Sequence, residues 1–554
     1  MHAPATELRQ EPTPAPKKTW LARLLPIALI GLYVLQCVGF IRTQSLTYDE
    51  PVHIAEGLDA WRHSRFEQYN DHPPLARLWC SLPLIDSRWQ IDIEQLANSF
   101  QVPRITPDPE ALAWRARAMN VLLGVVLCWL VWRVADKMFS RGAANFVLAL
   151  MVFSPSLIAH FSVATTDGAS TLLIFAAAWE VVRWRRSVDW RHTLFIGVLL
   201  GLMLLAKFST APMFVLALLW MLVAGPDKLI LNPRRWNWGK TATALLLAAT
   251  TVWAGYFFHV TRLTVHDGIL TASFPHWSEP IVKPVSSRVN YSILVPAGEY
   301  VEGIRRLGRH NSRGQPAYFL GQVSSKGGWK LYYPATILLK WPIVVLAACL
   351  AGLLLALLET ACVPVELWIM STFPAVYLVL AIFSNFNIGE RHILPLYPFA
   401  LVFAAVLWER VKLRRAGTAA LVLLAALNAA DTLRCAPDYL SYFSPIAPPG
   451  RGANLLTDSN LDWGQGLLAL RRYQREHPGE KISLAYFGSV DPSVYGIKIQ
   501  PLAENDRATG TVIVSATNLS GQFLANSSSY HWVLAYPRMQ VLDSCLYAFK
   551  IPAK

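Results

Sequence analysis

The sequence lacks the short motifs that mark soluble nucleotide and metal chemistry. It has no dinucleotide-binding glycine fingerprint, no Walker loop, no CxxC pair and no HExxH helix. Charge is also scarce. Asp, Glu, Lys and Arg make up 16% of the chain, against about a quarter in soluble domains. With 54% hydrophobic residues and 21 Trp in 554 residues, this excludes a string of soluble domains and indicates a polytopic membrane protein. Seven cysteines are scattered, several within apolar segments where Cys acts as a small hydrophobe. Cys435 and Cys545 flank the C-terminal region, and spacing leaves open whether they pair. No internal repeat is evident. The net charge of +14 suggests nucleic acid at first sight, but the basic residues fall in short loops between apolar runs, as membrane topology predicts.

A membrane span needs about 20 mostly apolar residues. Eleven stretches qualify, at about 20–41, 114–134, 143–161, 168–184, 193–207, 210–224, 241–259, 334–358, 364–383, 392–408 and 416–433. The first, preceded by a polar, Pro-rich tail ending in Lys17 and Lys18, is long for a signal peptide and reads as a retained span. Three loops concentrate Arg and Lys: Arg183 to Arg191, Lys228 to Lys240, and Arg410 to Arg415. Eleven spans with a cytoplasmic N-terminus put all three inside. The expected organisation is a cytoplasmic tail (1–19), a transmembrane region (20–433) with outer loops at about 42–113 and 260–333, and a small extracytoplasmic α/β domain (434–554). The first outer loop carries amphipathic pieces such as LARLWCSLPLI at 75–85, suited to the membrane surface. The second shows little period. The C-terminal region reads as a helix in LDWGQGLLALRRYQREH and strands in KISLAYFG, GTVIVSATN and YHWVLAYP.

Ionisable residues collect at the outer ends of the spans. Asp49 and Glu50 stand side by side in SLTYDEPVHIAEG, just beyond the first span. They read either as solvated loop acids or as a pair in which one accepts a proton and the other orients a partner. In YNDHPPLARLW, Pro73 and Pro74 fix the chain direction and present Asp71 and His72, although Pro-rich turns are also common on plain surfaces. Asp167 opens the fourth span, where helix capping and function are equal rivals. Lys207 lies at the outer end of the fifth span, and Arg391 and His392 lie directly before the tenth. The positive-inside rule disfavours cations there, and a guanidinium is well shaped to grip a phosphate. Acids and cations together suit a lipid phosphate beside a proton acceptor. In TDSNLDWGQG, Asp458, Asp462 and Trp463 read either as a helix start or as acceptor or domain-docking contacts.

TYDEPVHIAEG followed by DHPPLARLW resembles the first outer loop of the protein O-mannosyltransferases, membrane glycosyltransferases that share the GT-C fold with the aminoarabinose transferases of lipid A. TTDGAS, LAKFS and ERHILPLYPF match in order and in spacing relative to spans, so the resemblance covers most of the chain. It implies a polyprenyl-phosphate-linked sugar donor and a hydroxyl acceptor (protein, lipid or glycan) on the outer face of the cell membrane, with inversion at the anomeric carbon. Asp49 matches the catalytic Asp, with Glu50 in support. His72 matches a phosphate-binding position, and Lys207, Arg391 and His392 follow as further phosphate contacts, with Asp167 and Asp71 supporting. Val52 and His53 stand where aminoarabinose transferases carry an Arg, which argues against that donor. Acidic groups near Asp49 and Asp167 suit a divalent metal, but the resemblance implies no metal and no cofactor.

Two rivals share the many spans: a transporter of lipid-linked sugars and a non-catalytic envelope assembly protein. Transporters place polar groups at mid-membrane, whereas here they gather at span ends. General-base catalysis contributes about 10²–10⁴ in rate. Asp49→Asn is therefore expected to lower turnover by a similar factor while the protein still inserts. Wild-type turnover in that variant at equal expression removes Asp49 from the role.

Overall fold

The computed structural model describes residues 21–66, 71–92, 102–224, 237–277, 279–286, 289–360 and 363–553. The expected N-terminal tail, with Lys17 and Lys18, and the basic residues Lys228, Arg234 and Arg235 lie outside them. The described chain is mostly helical, and each of the eleven apolar stretches holds helix. Among the described residues, four helices are long and apolar enough to cross a membrane alone: Leu24–Thr43 (within Leu21–Thr43), Pro109–Met138, Val365–Ile382 and Arg415–Arg434. Two bent pairs raise the number to at most six.

The bends correct two of the expected straight spans. The stretch 143–161 is two helices, Arg141–Val152 and Pro155–Phe161, at 66°. The stretch 334–358 is Tyr332–Lys340 and Ile343–Leu358 at 117°. Each break falls at a proline, Pro155 or Pro342, which lacks the N–H that would continue the helix. Caps set other helix starts. Asp108 accepts from Glu110 N, Ser140 from Ala143 N, and Asp189 from His192 N.

The bundle has two chemically different ends. At one, Arg186 pairs with Glu366, Lys240 Nζ donates to Val188 O, and Glu409 accepts from Ser140 N. This end gathers the described residues of the basic loops. At the other lie the short helices Glu50–His63 and Leu75–Ser81, packed closely enough that a Cβ on Gly57 would sit 2.3 Å from Arg77 O.

The stretch 260–333, expected as the second outer loop, has more structure than its sequence suggests. Strands Ile281–Pro284, Ile269–Ser273, Val260–His266 and Tyr291–Pro296 lie side by side in that order, all antiparallel, and helix Gly298–Arg313 follows. The C-terminal sheet runs Gln500–Pro501, Ile482–Ala485, Gly510–Ser515, Leu546–Ile551, Arg538–Leu542. The first three are parallel and the last two antiparallel. Two of the three expected strands are present. YHWVLAYP instead forms a 3-10 helix at His531–Ala535, with Tyr530 and Val533 turned into the core. The expected long helix begins only at Leu467 and ends at Glu476. Cys435 and Cys545 are free thiols.

The C-terminal region is joined to the bundle by backbone pairing. Ser45 N donates to Gln465 O (2.9 Å), Tyr48 N to Trp463 O (2.8 Å) and Leu46 N to Tyr495 Oη (3.0 Å). Beneath this, Arg117 on Pro109–Met138 is fully buried against Glu50. Its Nε and Nη2 reach the two Glu50 oxygens at 2.8 and 2.7 Å, and Nη1 and Nη2 also donate to Gln44 O and Ser45 O. Glu50 further accepts from Thr47 N and Ala164 N, both at 2.7 Å. Burial raises its carboxyl, but Arg117 and these N–H groups outweigh burial and hold it below the usual range. Removing one partner of a buried pair costs about 3–5 kcal/mol. Arg117→Ala is expected to lose that much in thermal unfolding. Arg117→Lys is expected to rescue little, because one ammonium cannot reach both carboxylate oxygens and two carbonyls. A wild-type melting temperature in either variant contradicts this.

Candidate active site

Asp49 ends the loop pinned by Arg117 and stands at the N-cap of Glu50–His63. Its side chain, 26% exposed, faces the opposite way from Glu50 and accepts from Arg391 Nη1 at 2.6 Å. Arg391 lies in the 3-10 turn Glu390–Ile393. The same Nη1 is 3.8 Å from Asp167 Oδ2, and Asp167 Oδ1 accepts from Lys207 Nζ at 2.6 Å. Asp167 is in the first turn of Thr166–Arg186, and Lys207 closes Trp190–Ala206. Four side chains widely separated in sequence thus form one continuous chain of charge: Asp49, Arg391, Asp167, Lys207.

His72 lies against His53, with ring centroids 5.3 Å apart, and is close enough to feel the charges of Lys207 and Asp167. Burial lowers its imidazole to about 4, against the pull of Asp71. Burial lowers His392 well below its ordinary value too, with Lys207 and Arg391 adding to the effect. Both rings are therefore neutral at pH 7. They offer hydrogen bonds rather than the positive charge the sequence suggested, and His392 Nε2 is buried without a partner among the described residues.

Two expected site residues face elsewhere. Glu50, read as a catalytic partner, is buried in the Arg117 pair with both oxygens occupied, so it holds the loop and does not meet the cleft. Successive residues at a helix start diverge by about 100°, so adjacency in sequence separated the two acids in space. Asp71 pairs with Arg77, which also pairs with Glu56. The Asp71 side chain is itself exposed, and His72 and Arg77 beside it bring its carboxyl down to about 2.

The segment 457–466 packs directly beneath Arg391. Trp463 is 1% exposed, and its ring lies 4.2 Å below the Arg391 guanidinium carbon. Asp462 is buried and accepts from Thr517 N at 2.8 Å. Asp458 is buried and accepts from Ser459 N. Buried side chains of this kind dock one part of the chain on another and do not reach an acceptor. Neither Asp458 nor Asn460 caps the helix, whose N-cap is Gly466 at the end of the segment. Next to Asp49 in the chain, Tyr48 stacks on Phe487 (5.2 Å, 17°) and Phe487 on Phe523 (5.3 Å, 2°).

Sequence reasoning missed Arg117, Lys340 and Ser459. Lys340 is fully buried, with Nζ donating to Leu440 O (3.0 Å), Tyr442 O and Asn460 O (2.5 Å). A usable signal existed for the two cations: each lies near the outer end of an apolar run, where Lys and Arg are disfavoured. Among the described residues no group of three or more His, Cys, Asp or Glu is arranged to hold a metal ion.

Residues 110–254 match the profile of the dolichyl-phosphate-mannose-protein mannosyltransferase family. No curated protein sequence matches the chain significantly. Among solved structures, the Saccharomyces cerevisiae protein O-mannosyltransferase Pmt1-Pmt2 complex bound to its sugar donor is similar in fold. The TM-score is 0.53 at 12% identity, covering 76% of this chain and 90% of that one. ArnT from Cupriavidus metallidurans aligns over 96% of this chain and 97% of its own, with TM-score 0.47 and 12% identity. The oligosaccharyltransferase AglB from Archaeoglobus fulgidus aligns over 90% and 62%, with TM-score 0.47 and 12% identity.

The acids beneath Arg391 make the site sensitive to pH. Burial pushes Asp458 up to about 7, opposed by Arg391 and the Ser459 N–H, and pushes Asp462 up to about 6, opposed by the Thr517 and Gly464 N–H groups. An unfolded Asp titrates at about 3.9. Between about pH 4 and 7 the folded chain therefore keeps a proton that the unfolded chain has released. Stability falls as pH rises through that window and levels off above it. Asp458→Asn is expected to flatten this decline in a plot of melting temperature against pH. An unchanged slope contradicts the assignment.

Proposed function

We propose, from the premise that the chain is a protein-mannosyltransferase-like GT-C glycosyltransferase, that it moves a sugar from a polyprenyl-phosphate carrier to a hydroxyl acceptor at the outer face of the cell membrane. The observation that carries the reading is the charge chain Asp49–Arg391–Asp167–Lys207. It is electrically balanced, with two acids and two cations, and His72 and His392 are neutral. An arriving phosphate gains full use of a cation only by replacing a carboxylate on it.

At Arg391 that exchange has a chemical consequence. When the donor phosphate takes the Arg391 guanidinium, Asp49 is released at the moment a base is needed. The acceptor oxygen attacks the anomeric carbon, and its proton passes to Asp49. The bond from the anomeric carbon to the phosphate oxygen breaks, and the electron pair leaves with the lipid phosphate. Arg391 and Lys207 stabilise that charge, with His72 and His392 as neutral donors. Fixed cations at a developing anion need no reorganisation during the step. Attack opposite the leaving phosphate inverts the anomeric centre. The paired rings Tyr48, Phe487 and Phe523 flank the acceptor's approach. The basic residues described at the opposite end of the bundle support an orientation with that end in the cytoplasm.

The test uses purified protein in lipid nanodiscs with polyprenyl-phosphate sugars labelled in the sugar, supplied with a cell-envelope extract as acceptor. Release of polyprenyl phosphate with transfer of the label to a hydroxyl-bearing product is expected, with inverted anomeric configuration. Movement of the intact lipid-linked sugar across a proteoliposome membrane without cleavage would support the transporter instead and overturn this reading.

A further inference from the structure

We infer that Ser459 and Trp463, in the segment of the C-terminal region that runs under the cleft, are positioning residues that fix Arg391 for phosphate binding. The inference rests on the glycosyltransferase reading and extends it: the C-terminal region supplies part of the reaction site rather than a separate module.

A free Arg side chain carries roughly 2 kcal/mol of rotamer entropy, so an Arg that must meet a phosphate at one point benefits from being held in advance. Three fixed points hold this one. The Arg391 guanidinium carbon lies over the Trp463 ring, 4.2 Å from its centroid, a cation–π arrangement out of water. Ser459 Oγ accepts from Arg391 Nε at 3.2 Å. The Ser459 hydroxyl proton is committed to Ile388 O at 2.7 Å, which leaves its lone pairs for the guanidinium. The backbone is held as well, since Glu390 N donates to Asn460 Oδ1 at 2.9 Å. With the Nε edge and one face occupied, Nη1 is directed at Asp49 and Asp167.

The clamp is itself anchored on both sides. Asn460 O accepts from the buried Lys340, and Asn460 Nδ2 donates to Tyr332 Oη at 2.9 Å, tying the segment to the bundle. Asp462 is held by Thr517 N from the sheet side. Gly389 permits the close approach, because a Cβ there would meet Ser459 Oγ at 2.0 Å. Trp463 cannot act as a stacking platform for an acceptor sugar. One face is covered by Arg391, and His160 packs against it edge-on at 6.3 Å.

The test is a double-mutant cycle on the full-length protein in nanodiscs, reading the dissociation constant for undecaprenyl phosphate and the KM and kcat for the lipid-linked donor. Trp463→Leu and Ser459→Ala are each expected to weaken undecaprenyl phosphate binding about 3- to 30-fold, the range for a desolvated cation–π or charge-assisted contact. Trp463→Phe, which keeps a ring face, is expected to stay within about threefold of wild type. In an Arg391→Ala background the same substitutions are expected to add less than about twofold, because groups that act through one partner are not additive. Equal losses with and without Arg391 overturn the inference, since the residues then act on the fold at large. If Trp463→Leu does not fold, Ser459→Ala, which deletes one oxygen, carries the cycle alone. Failure of the wild-type protein to bind undecaprenyl phosphate at all sinks the glycosyltransferase reading itself, a different result from additive losses in a protein that binds.

Discussion

The buried pair between Arg117 and Glu50 is the constraint from which the rest of the site follows. It joins three pieces of chain, two of which lead to an acid of the charge chain. The loop 44–50 ends in Asp49, the helix Pro109–Met138 carries Arg117, and Ala164, whose N–H caps Glu50, comes three residues before Asp167. A charged pair out of water is tolerable only if nearly every donor and acceptor is used. Here the guanidinium meets two carboxylate oxygens and two carbonyls, and the carboxylate meets two further backbone donors. Such saturation admits one geometry. The positions of Asp49 and Asp167 relative to each other are therefore set from beneath, before any ligand arrives.

Above that foundation the cleft is governed by charge balance. Lys207 and Arg391 both sit where the medium would penalise a lone cation, and each is stabilised by an acid at 2.6 Å. The same acids compete with any incoming anion. In the proposed reaction, affinity for a lipid phosphate is a difference between two good interactions rather than the sum of new ones, and the exchange frees Asp49 as the phosphate binds. Neutral histidines suit such an arrangement. In the proposed reaction they donate hydrogen bonds to the phosphate without adding positive charge to the balanced set.

Much of this was legible in the sequence, and the failures have definite causes. Asp49, Asp167, Lys207 and Arg391 could be found because a charge at the outer end of an apolar run is anomalous wherever it occurs, and the anomaly does not depend on knowing the fold. Arg117 and Lys340 carried the same anomaly but were absorbed into runs read only for their apolar content. Glu50 was misassigned because adjacency in sequence was taken as adjacency in space. The strands at 260–296 escaped notice because exposure is spread over both faces of the sheet, as at Tyr291, Ile293 and Leu294, so no alternation was written into the residues. YHWVLAYP misled in the opposite way. Its alternating apolar residues suit a strand, yet only some turn inward from a 3-10 turn.

The role of the C-terminal region could not be read from composition at all, because it depends on burial. Asp458, Ser459, Asn460, Asp462 and Trp463 look like a polar, sugar-facing surface when written in a line. In the fold every one is buried, and their polarity is spent inward, on Arg391, Lys340 and Thr517. A dense polar cluster next to an aromatic residue has two physical meanings, an exposed recognition surface or the satisfied underside of one, and only solvent access separates them. Here the underside reading ties the sheet, the bundle and the cleft cation into one network. The C-terminal region and the membrane helices then cannot be treated as separable parts, since the Arg391 guanidinium is held by residues from both.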